Sequence, residues 1–289
     1  MQKILPSPPF NPLHQGDEAV QNSDYFTAFK DKFRNMIGTD DIIRQIISII
    51  EKNHWDFYVF IDGLDHIINP NNAISNEDLK LDEQSIKFGN YFYKTSTCKD
   101  YKAKEGFYEK RNIFSKSNCI FGKKIFNDGK IEIGEFQFIP ELKAMGLVDG
   151  KITWPTGSSH KGKFQFISNL NEMRLVEGEK KSKGGSIQTG KFQFISNLNE
   201  MSLVEGEIIF ENGVIQNGKW DYIPEIEYMM VVEGTISKKG FIENGKWDYI
   251  SEIKIMHLVE GEVTRPDGTM KQGTWTYNES KNDMVFSPK

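Results

Sequence analysis

The sequence predicts a mainly β fold: an elongated single-layer antiparallel sheet of repeated β-hairpins, a solenoid, with a small helical segment at its N-terminal side. Three observations predict it. A block of sequence recurs: GKFQFISNLNEMRLVEGE begins at Gly162 and GKFQFISNLNEMSLVEGE begins 28 residues later at Gly190, differing only at Arg174 against Ser202. Turn glycines recur in NDG, PTG, KGG, ENG, KKG and PDG, at Gly129, Gly157, Gly185, Gly213, Gly240 and Gly268. Asn-Gly and Asp-Gly between short alternating runs are the strongest local hairpin signal, because the central turn residues need positive φ. Aromatic residues stand two apart in FQF and WDY, which puts both on one face of a strand.

Residues 1–22 carry PSPPFNP and are expected to form an extended proline-rich arm. Residues 23–85 hold a small helical region and a linker. Ser23 can cap a helix with Phe26, Phe29, Phe33 and Met36 on one stripe, ending at Gly38. Thr39 can cap another, with Ile42, Ile43, Ile46, Ile47 and Ile50 at helical spacing, and the two pair antiparallel. HWDFYVFIDG, 54–63, fits a strand or a third helix equally well. The stretch from Pro70 to Glu83, rich in Asn and Asp, is the expected linker.

Residues 86–289 are the array. Weaker copies begin at Gly134, Gly218 and Gly245, a degenerate one at Gly106, and the strand at Gly273 opens another; one unit has 27 residues. A second glycine falls 16 residues into each unit, at Gly122, Gly150, Gly178, Gly206, Gly234 and Gly261. The aromatic pairs Phe136 with Phe138, Phe164 with Phe166, Phe192 with Phe194, Trp220 with Tyr222, Trp247 with Tyr249 and Trp275 with Tyr277 are expected to stack into a ladder. A lone hairpin is marginal in water, so neighbouring units must bury each other's faces, and six units would extend about 55 to 60 Å.

The chain has 289 residues, 38% of them hydrophobic, and a formal net charge of −5, so its long-range field does not draw nucleic acid or anionic lipid in general. Cys98 and Cys119 stand apart, without a CxxC or a nearby histidine pair, so neither a disulfide framework nor a zinc site is expected. No apolar run reaches the ~18 residues that span a bilayer. The first thirty residues lack arginine and an apolar core, unlike a secretory or mitochondrial leader, and a cytoplasmic setting is the expectation.

From a turn glycine onward the pattern is Gly213, three residues, Asn217, Gly218, Lys219, Trp220, which resembles the DG-xx-Y-x-G-x-W signature of MORN repeats (membrane occupation and recognition nexus). The units depart from it in a short insert between the aromatic strand and the second glycine. They also carry Val176, Val204, Val232 and Val259 where that pattern has the first glycine of a GxG pair. The resemblance implies an elongated hairpin sheet acting as a rigid spacer or docking surface in larger protein assemblies, ciliary, axonemal or cytoskeletal. It also implies a rival, a peripheral membrane adaptor. Fold alone does not fix function.

No arrangement of nucleophile, base and oxyanion donors stands out, so a non-enzymatic protein is expected, with no catalytic residue, no cofactor and no metal ligand assigned. GSIQTGK, Gly185 to Lys191, has the spacing of a phosphate-binding loop but continues with Phe192 where Ser or Thr must hold magnesium, and the spacing recurs with the hairpins. The five histidines occur singly, and FIDGLDH, 60–66, lacks the alternating ligands of a calcium loop. Two features remain as candidate sites. Lys163, Lys191, Lys219 and Lys246 follow the strand glycine, while Asp149, Glu177, Glu205, Glu233 and Glu260 precede the second one. These two ladders of opposite sign either pair across strands on a solvated face or offer a lysine row to lipid phosphates. The insert repeats an apolar stripe, in which Met145, Met173, Met201, Met229 and Met256 with Leu170 and Leu198 either cover the sheet or present a Met-rich ridge to a protein partner.

Overall fold

The structure, a computed structural model, describes residues 40–67, 79–88, 91–98, 101–109 and 118–289. The proline-rich arm and the helix expected from Ser23 lie outside the described residues. The isoleucine-rich segment forms α1 (Asp40–Lys52), and HWDFYVFIDG resolves as a helix, α2 (Phe57–Ile67). Two local devices decide this. His54 turns left-handed (φ 53°) behind α1, while Trp55 N donates to Ile50 O and His54 N to Glu51 O, closing the helix end. Asp56 then caps α2, its Oδ1 accepting from the backbone N–H of Tyr58 and Val59.

Seventeen strands follow among the described residues: β1 (Leu79–Asp82), β2 (Ser85–Phe88), β3 (Tyr91–Cys98), β4 (Tyr101–Glu109), β5 (Asn118–Phe126), β6 (Ile131–Ile139), β7 (Ala144–Thr153), β8 (Ser159–Ile167), β9 (Glu172–Lys181), β10 (Ile187–Ile195), β11 (Glu200–Ile209), β12 (Ile215–Ile223), β13 (Tyr228–Lys238), β14 (Phe241–Ile250), β15 (Ile255–Thr264), β16 (Met270–Asn278) and β17 (Asp283–Pro288). They form one open antiparallel meander in which consecutive strands pair. The sheet begins at Leu79 rather than after residue 85. LKLD and SIKF are short alternating strands joined at an acidic turn, so the end of the expected linker is a hairpin.

Glycine sets the geometry of the array. The strand glycine and the second glycine of every unit face each other on one rung, so a column of glycines crosses β4 to β16, from Gly106 and Gly122 through to Gly261 and Gly273. The degenerate copy at Gly106 is thereby in register. At Gly178 φ is +139°, and a Cβ there would lie 2.0 Å from Lys161 O and 2.8 Å from the Gly162 Cα. A side chain fits neither that backbone nor that approach.

The column divides each strand. On its turn side, the strands joined by the glycine turns link adjacent fingertip hairpins over five rungs, as from Asp149↔Lys163 to Thr153↔Ser159, or six between β13 and β14, and that pairing stops at the rung next to the glycines. Beyond it only the two strands of one hairpin pair, giving a row of two-stranded fingers. A β-bulge sits at the base of each finger: Lys163 opposes Glu177 but Phe164 opposes Leu175, leaving Val176 as the extra residue. Val204, Val232 and Val259 occupy the same place, so the valines that replace glycine in the MORN-like pattern are bulge residues that add twist.

Twisted in this way, the fingers stack. A Cβ on Gly146 of one finger would come within 3.0 Å of the Met173 Cγ of the next. Two strands at about 4.8 Å make one hairpin step of about 10 Å, the distance at which sheets pack face to face, so pairing on one side of the column and stacking on the other share one repeat. Between the fingers runs the core: Phe136, Leu147, Phe164, Leu175, Phe192, Leu203, Trp220 and Val231, all buried. Aromatic and aliphatic side chains alternate here. Equivalent rings lie two strands apart with a leucine or valine between them, so the expected stacked aromatic ladder is instead an interleaved one. In the four pairs from Phe136 to Tyr222 the first aromatic is buried and the second less covered, and Phe138 is 51% exposed.

At the N-terminal side the helices lie on the sheet face opposite the finger core, over the rung of Ile86, Tyr93, Phe107 and Phe121. Ile43, Ile46, Ile50, Phe60 and Leu64 pack on Ile86, Tyr93 and Phe107, and Gly63 of α2 lies against the rings of Phe107 and Phe121. Each such aliphatic side chain contributes about 1.5 to 3 kcal/mol on burial. An amphipathic pair thus covers a sheet face that would otherwise be wet, the role of a capping unit in a repeat protein.

Candidate functional site

The two predicted charge ladders are one row. Lys163 opposes Glu177, Glu177 opposes Lys191, and the alternation continues through Glu205, Lys219, Glu233 and Lys246 to Glu260. Cross-strand ion pairs follow: Lys163–Glu177 at 2.9 Å, Lys191–Glu205 and Lys219–Glu233 at 2.7 Å, and Lys246–Glu260 at 3.2 Å. Hydrogen bonding to its partner raises the Lys163 ammonium above its ordinary range and lowers the Glu177 carboxyl; Lys191 with Glu205 and Lys219 with Glu233 shift likewise. All these groups are solvated, and the pairs match the cross-strand pairing expected for a solvated face. With Asp149 opposing Lys163 from the other side, four lysines meet five acids, and the row is close to neutral rather than basic.

The methionine stripe lies on the other face, at the finger rungs Phe138↔Met145, Phe166↔Met173, Phe194↔Met201, Tyr222↔Met229 and Tyr249↔Met256. Met201 is buried; Met145, Met173, Met229 and Met256 are half-buried, and Met145, Met173 and Met229 pack on the core between fingers. Leu170 and Leu198 sit half-buried in four-residue fingertip loops, where Asn171 and Asn199 take left-handed φ near 52°. The stripe therefore fills the spaces between stacked fingers, a thioether's natural place among irregular gaps.

Ionisable groups gather in two further kinds of place: under α2, and at finger joints where Lys124 and Lys180 recur two repeats apart. Under α2, Glu105 Oε1 accepts from the Asp56 backbone N–H at 3.2 Å, and Asp56 Oδ2 pairs with Lys123 Nζ at 2.9 Å. Burial pushes the Glu105 carboxyl up to about 7, against the opposing pull of Lys123, and raises the Cys119 thiol to about 11. The fully buried Tyr93 hydroxyl beside them has no protein partner. Such a thiol is inert as a nucleophile. The second place is the joint of two fingers, where Lys180 Nζ lies 4.3 Å from the Phe192 ring centroid and donates to Met201 O at 2.8 Å. Opposite Lys180 on its rung stands His160, edge-on to Trp154 at 4.7 Å. Desolvation lowers Lys180 to about 8 and His160 to about 4, with Arg174 adding to both. Arg174, the residue that distinguishes the twin units, pairs with Glu172. Two repeats earlier Lys124 makes the same contacts, 3.7 Å from the Phe136 ring centroid and donating to Met145 O at 3.2 Å, and burial lowers it to about 8, so the recurrence of lysine at this repeat position is the sequence signal for the site.

GSIQTGK is a hairpin turn at Gly185 followed by β10, and FIDGLDH is a helical stretch of α2. No known family model matches the chain, and no curated protein matches it.

Proposed function

We propose that the chain is a non-enzymatic scaffold, a docking subunit that holds proteins at fixed spacing in a larger assembly. The observation that supports this is the uniformity of the array: one cross-section, with its glycine rung and bulge, recurs from unit to unit, joined by the ion pair in the four units from Gly162 to Gly245, which suits a spacer better than a single reaction centre. The MORN-like signature is in keeping with such a role, and ciliary or cytoskeletal assemblies are the setting it suggests. Internal pairing of every lysine of the row weighs against the rival, a membrane adaptor reading anionic headgroups, since a nearly neutral row has little to offer them. No described helix is long and apolar enough to cross a membrane.

The twin units allow a direct test. Deleting residues 162–189 joins equivalent positions and should leave a folded array about 10 Å shorter, visible in small-angle scattering. Proximity labelling of parent and shortened chains in the native cell should recover the same proteins with altered separation. Cosedimentation with phosphoinositide vesicles that is lost on Lys163→Glu, Lys191→Glu and Lys219→Glu would sink the scaffold reading in favour of the membrane one.

A further inference from the structure

The face that carries the ion-pair row is covered by α2 only at its N-terminal end, over Phe107 and Phe121, and is open along the row itself; on β10 to β15 its three outward rungs have an unusual symmetry. We propose that this face binds a second copy of the same chain, sheet face to sheet face, about a two-fold axis that runs parallel to the strands between β12 and β13.

The argument rests on which residues such an axis brings together. It reverses strand order and keeps the rungs, so β12 faces β13 of the second copy, β11 faces β14 and β10 faces β15. Lys219 then faces Glu233, Glu205 faces Lys246 and Lys191 faces Glu260 of the second copy, following the register of each strand pair. Every facing pair has opposite sign, because the row alternates strand by strand and the axis falls between strands. An axis through a strand would give the reverse. On the middle rung Glu207 faces Asn244, Thr189 faces Glu262 and Asn217 faces Thr235, so no two like charges meet. Complementary potentials and the absence of like-charge contacts select partners and orientation.

The outermost rung adds the apolar component. Ile209 faces Ile242 of the second copy, and these are 36% and 42% exposed. Ile215, also 36% exposed, faces Ser237, and Ile187 faces Thr264. The corresponding rung on β7 to β9 reads Thr153, Ser159 and Lys181, which separates this strip from the isoleucine pair Ile125 and Ile131 on β5 and β6. Exposed aliphatic residues in a contiguous strip mark interfaces.

Size sets the strength. Six strands at about 4.8 Å and five rungs at about 3.3 Å span roughly 500 Å² of sheet per copy, or about 1,000 Å² for the pair. This lies at the lower limit for a specific interface, so the dimer is weak and isologous.

Sedimentation equilibrium of the full chain from micromolar to millimolar concentration tests the proposal. A monomer–dimer equilibrium that weakens with added salt is expected. Converting the row to all acid (Lys191→Glu, Lys219→Glu, Lys246→Glu) should weaken self-association at least about tenfold, as should the all-base variant (Glu205→Lys, Glu233→Lys, Glu260→Lys). Mixing the two should restore a heterodimer, an outcome that mere loss of stability cannot produce. Circular dichroism and thermal melts establish that each variant is folded. Should the triple variants not fold, Ile242→Asp, at an exposed position, serves instead, again with at least about tenfold weaker association expected. A parent chain that is monomeric throughout, an all-acid or Ile242→Asp variant that dimerises as tightly as the parent, or folded charge variants that fail to pair on mixing would each overturn the proposal.

Discussion

Two glycines of the same repeat should respond very differently to the same substitution. Gly157 lies in the PTG turn with φ +86°, and a Cβ there meets nothing within 4 Å. Alanine at this site therefore bears only the left-handed backbone cost, about 1 kcal/mol after allowing for the reduced freedom of the unfolded chain. Gly178 lies in the glycine column, where the Cβ would sit 2.0 Å from Lys161 O. An ordinary carbon–oxygen contact is about 3.3 Å or more, so the overlap exceeds about 1 Å. Both colliding groups are backbone, and no rotamer relieves them. Strands β8 and β9 must part at that rung or the crease must open, and the expected cost is above about 4 kcal/mol, outside the usual range for one substitution. Guanidinium denaturation of Gly157→Ala and Gly178→Ala, followed by circular dichroism, compares the two midpoints directly. Hydrogen exchange would localise the second effect to β8, β9 and β10. If the two variants lie within about 1 kcal/mol of each other, the column is not the steric hinge that the backbone geometry requires.

Glu105 carries a carboxyl raised from 4.5 to about 7 by burial under α2. For a raised folded-state value the stabilising contribution is complete below the unfolded value near 4.5 and is lost as pH rises through about 7, a difference on the order of 3 kcal/mol. Glu105→Gln should flatten this part of the stability profile, and denaturation midpoints at pH 5 and pH 8 that shift equally in parent and variant would contradict it. Glu227, left-handed at φ 53° in a fingertip where three other units place Asn171, Asn199 and Asn282, should gain about 0.5 to 1 kcal/mol as Glu227→Asn. An unchanged thermal melt would show that the loop does not hold that conformation in solution.

Local features were legible because they are written in nearest-neighbour chemistry. Period, hairpins and turn positions follow from Gly129, Gly157 and their equivalents, although most turns use a single left-handed glycine rather than two positive-φ residues. At Phe210 to Val214, Phe210 N donates to Val214 O and Gly213 N to Phe210 O, both at 2.9 Å. The 27-residue unit is the exception that explains its own length: Lys239 and Gly240 both have positive φ, and their two-residue turn uses one residue fewer. The stacking of fingers was not legible, since it depends on where pairing between hairpins stops. Alternation reads the same whether a strand is paired on both sides or on one. The merging of two charge ladders into one row likewise depends on register, which places Glu177 between Lys163 and Lys191. The acid cluster around Glu105 joins α2 to strands far along the chain, and no periodicity records such a contact.

The direction of pairing also gives the array a mechanical axis. Hydrogen bonds in an antiparallel sheet run perpendicular to the strands, and here that direction is the long axis of the array. A pull from end to end loads the strand pairs in series. Within a fingertip hairpin nine residue pairs share the load, as between β8 and β9, whereas the glycine-turn seam between two such hairpins has five, as between β7 and β8, or six between β13 and β14. The seams between hairpins are the weaker links, and they recur at every repeat. Under tension the chain should yield one hairpin at a time, in steps of one repeat's contour length, so that the array behaves as a graded fuse rather than a rod that snaps.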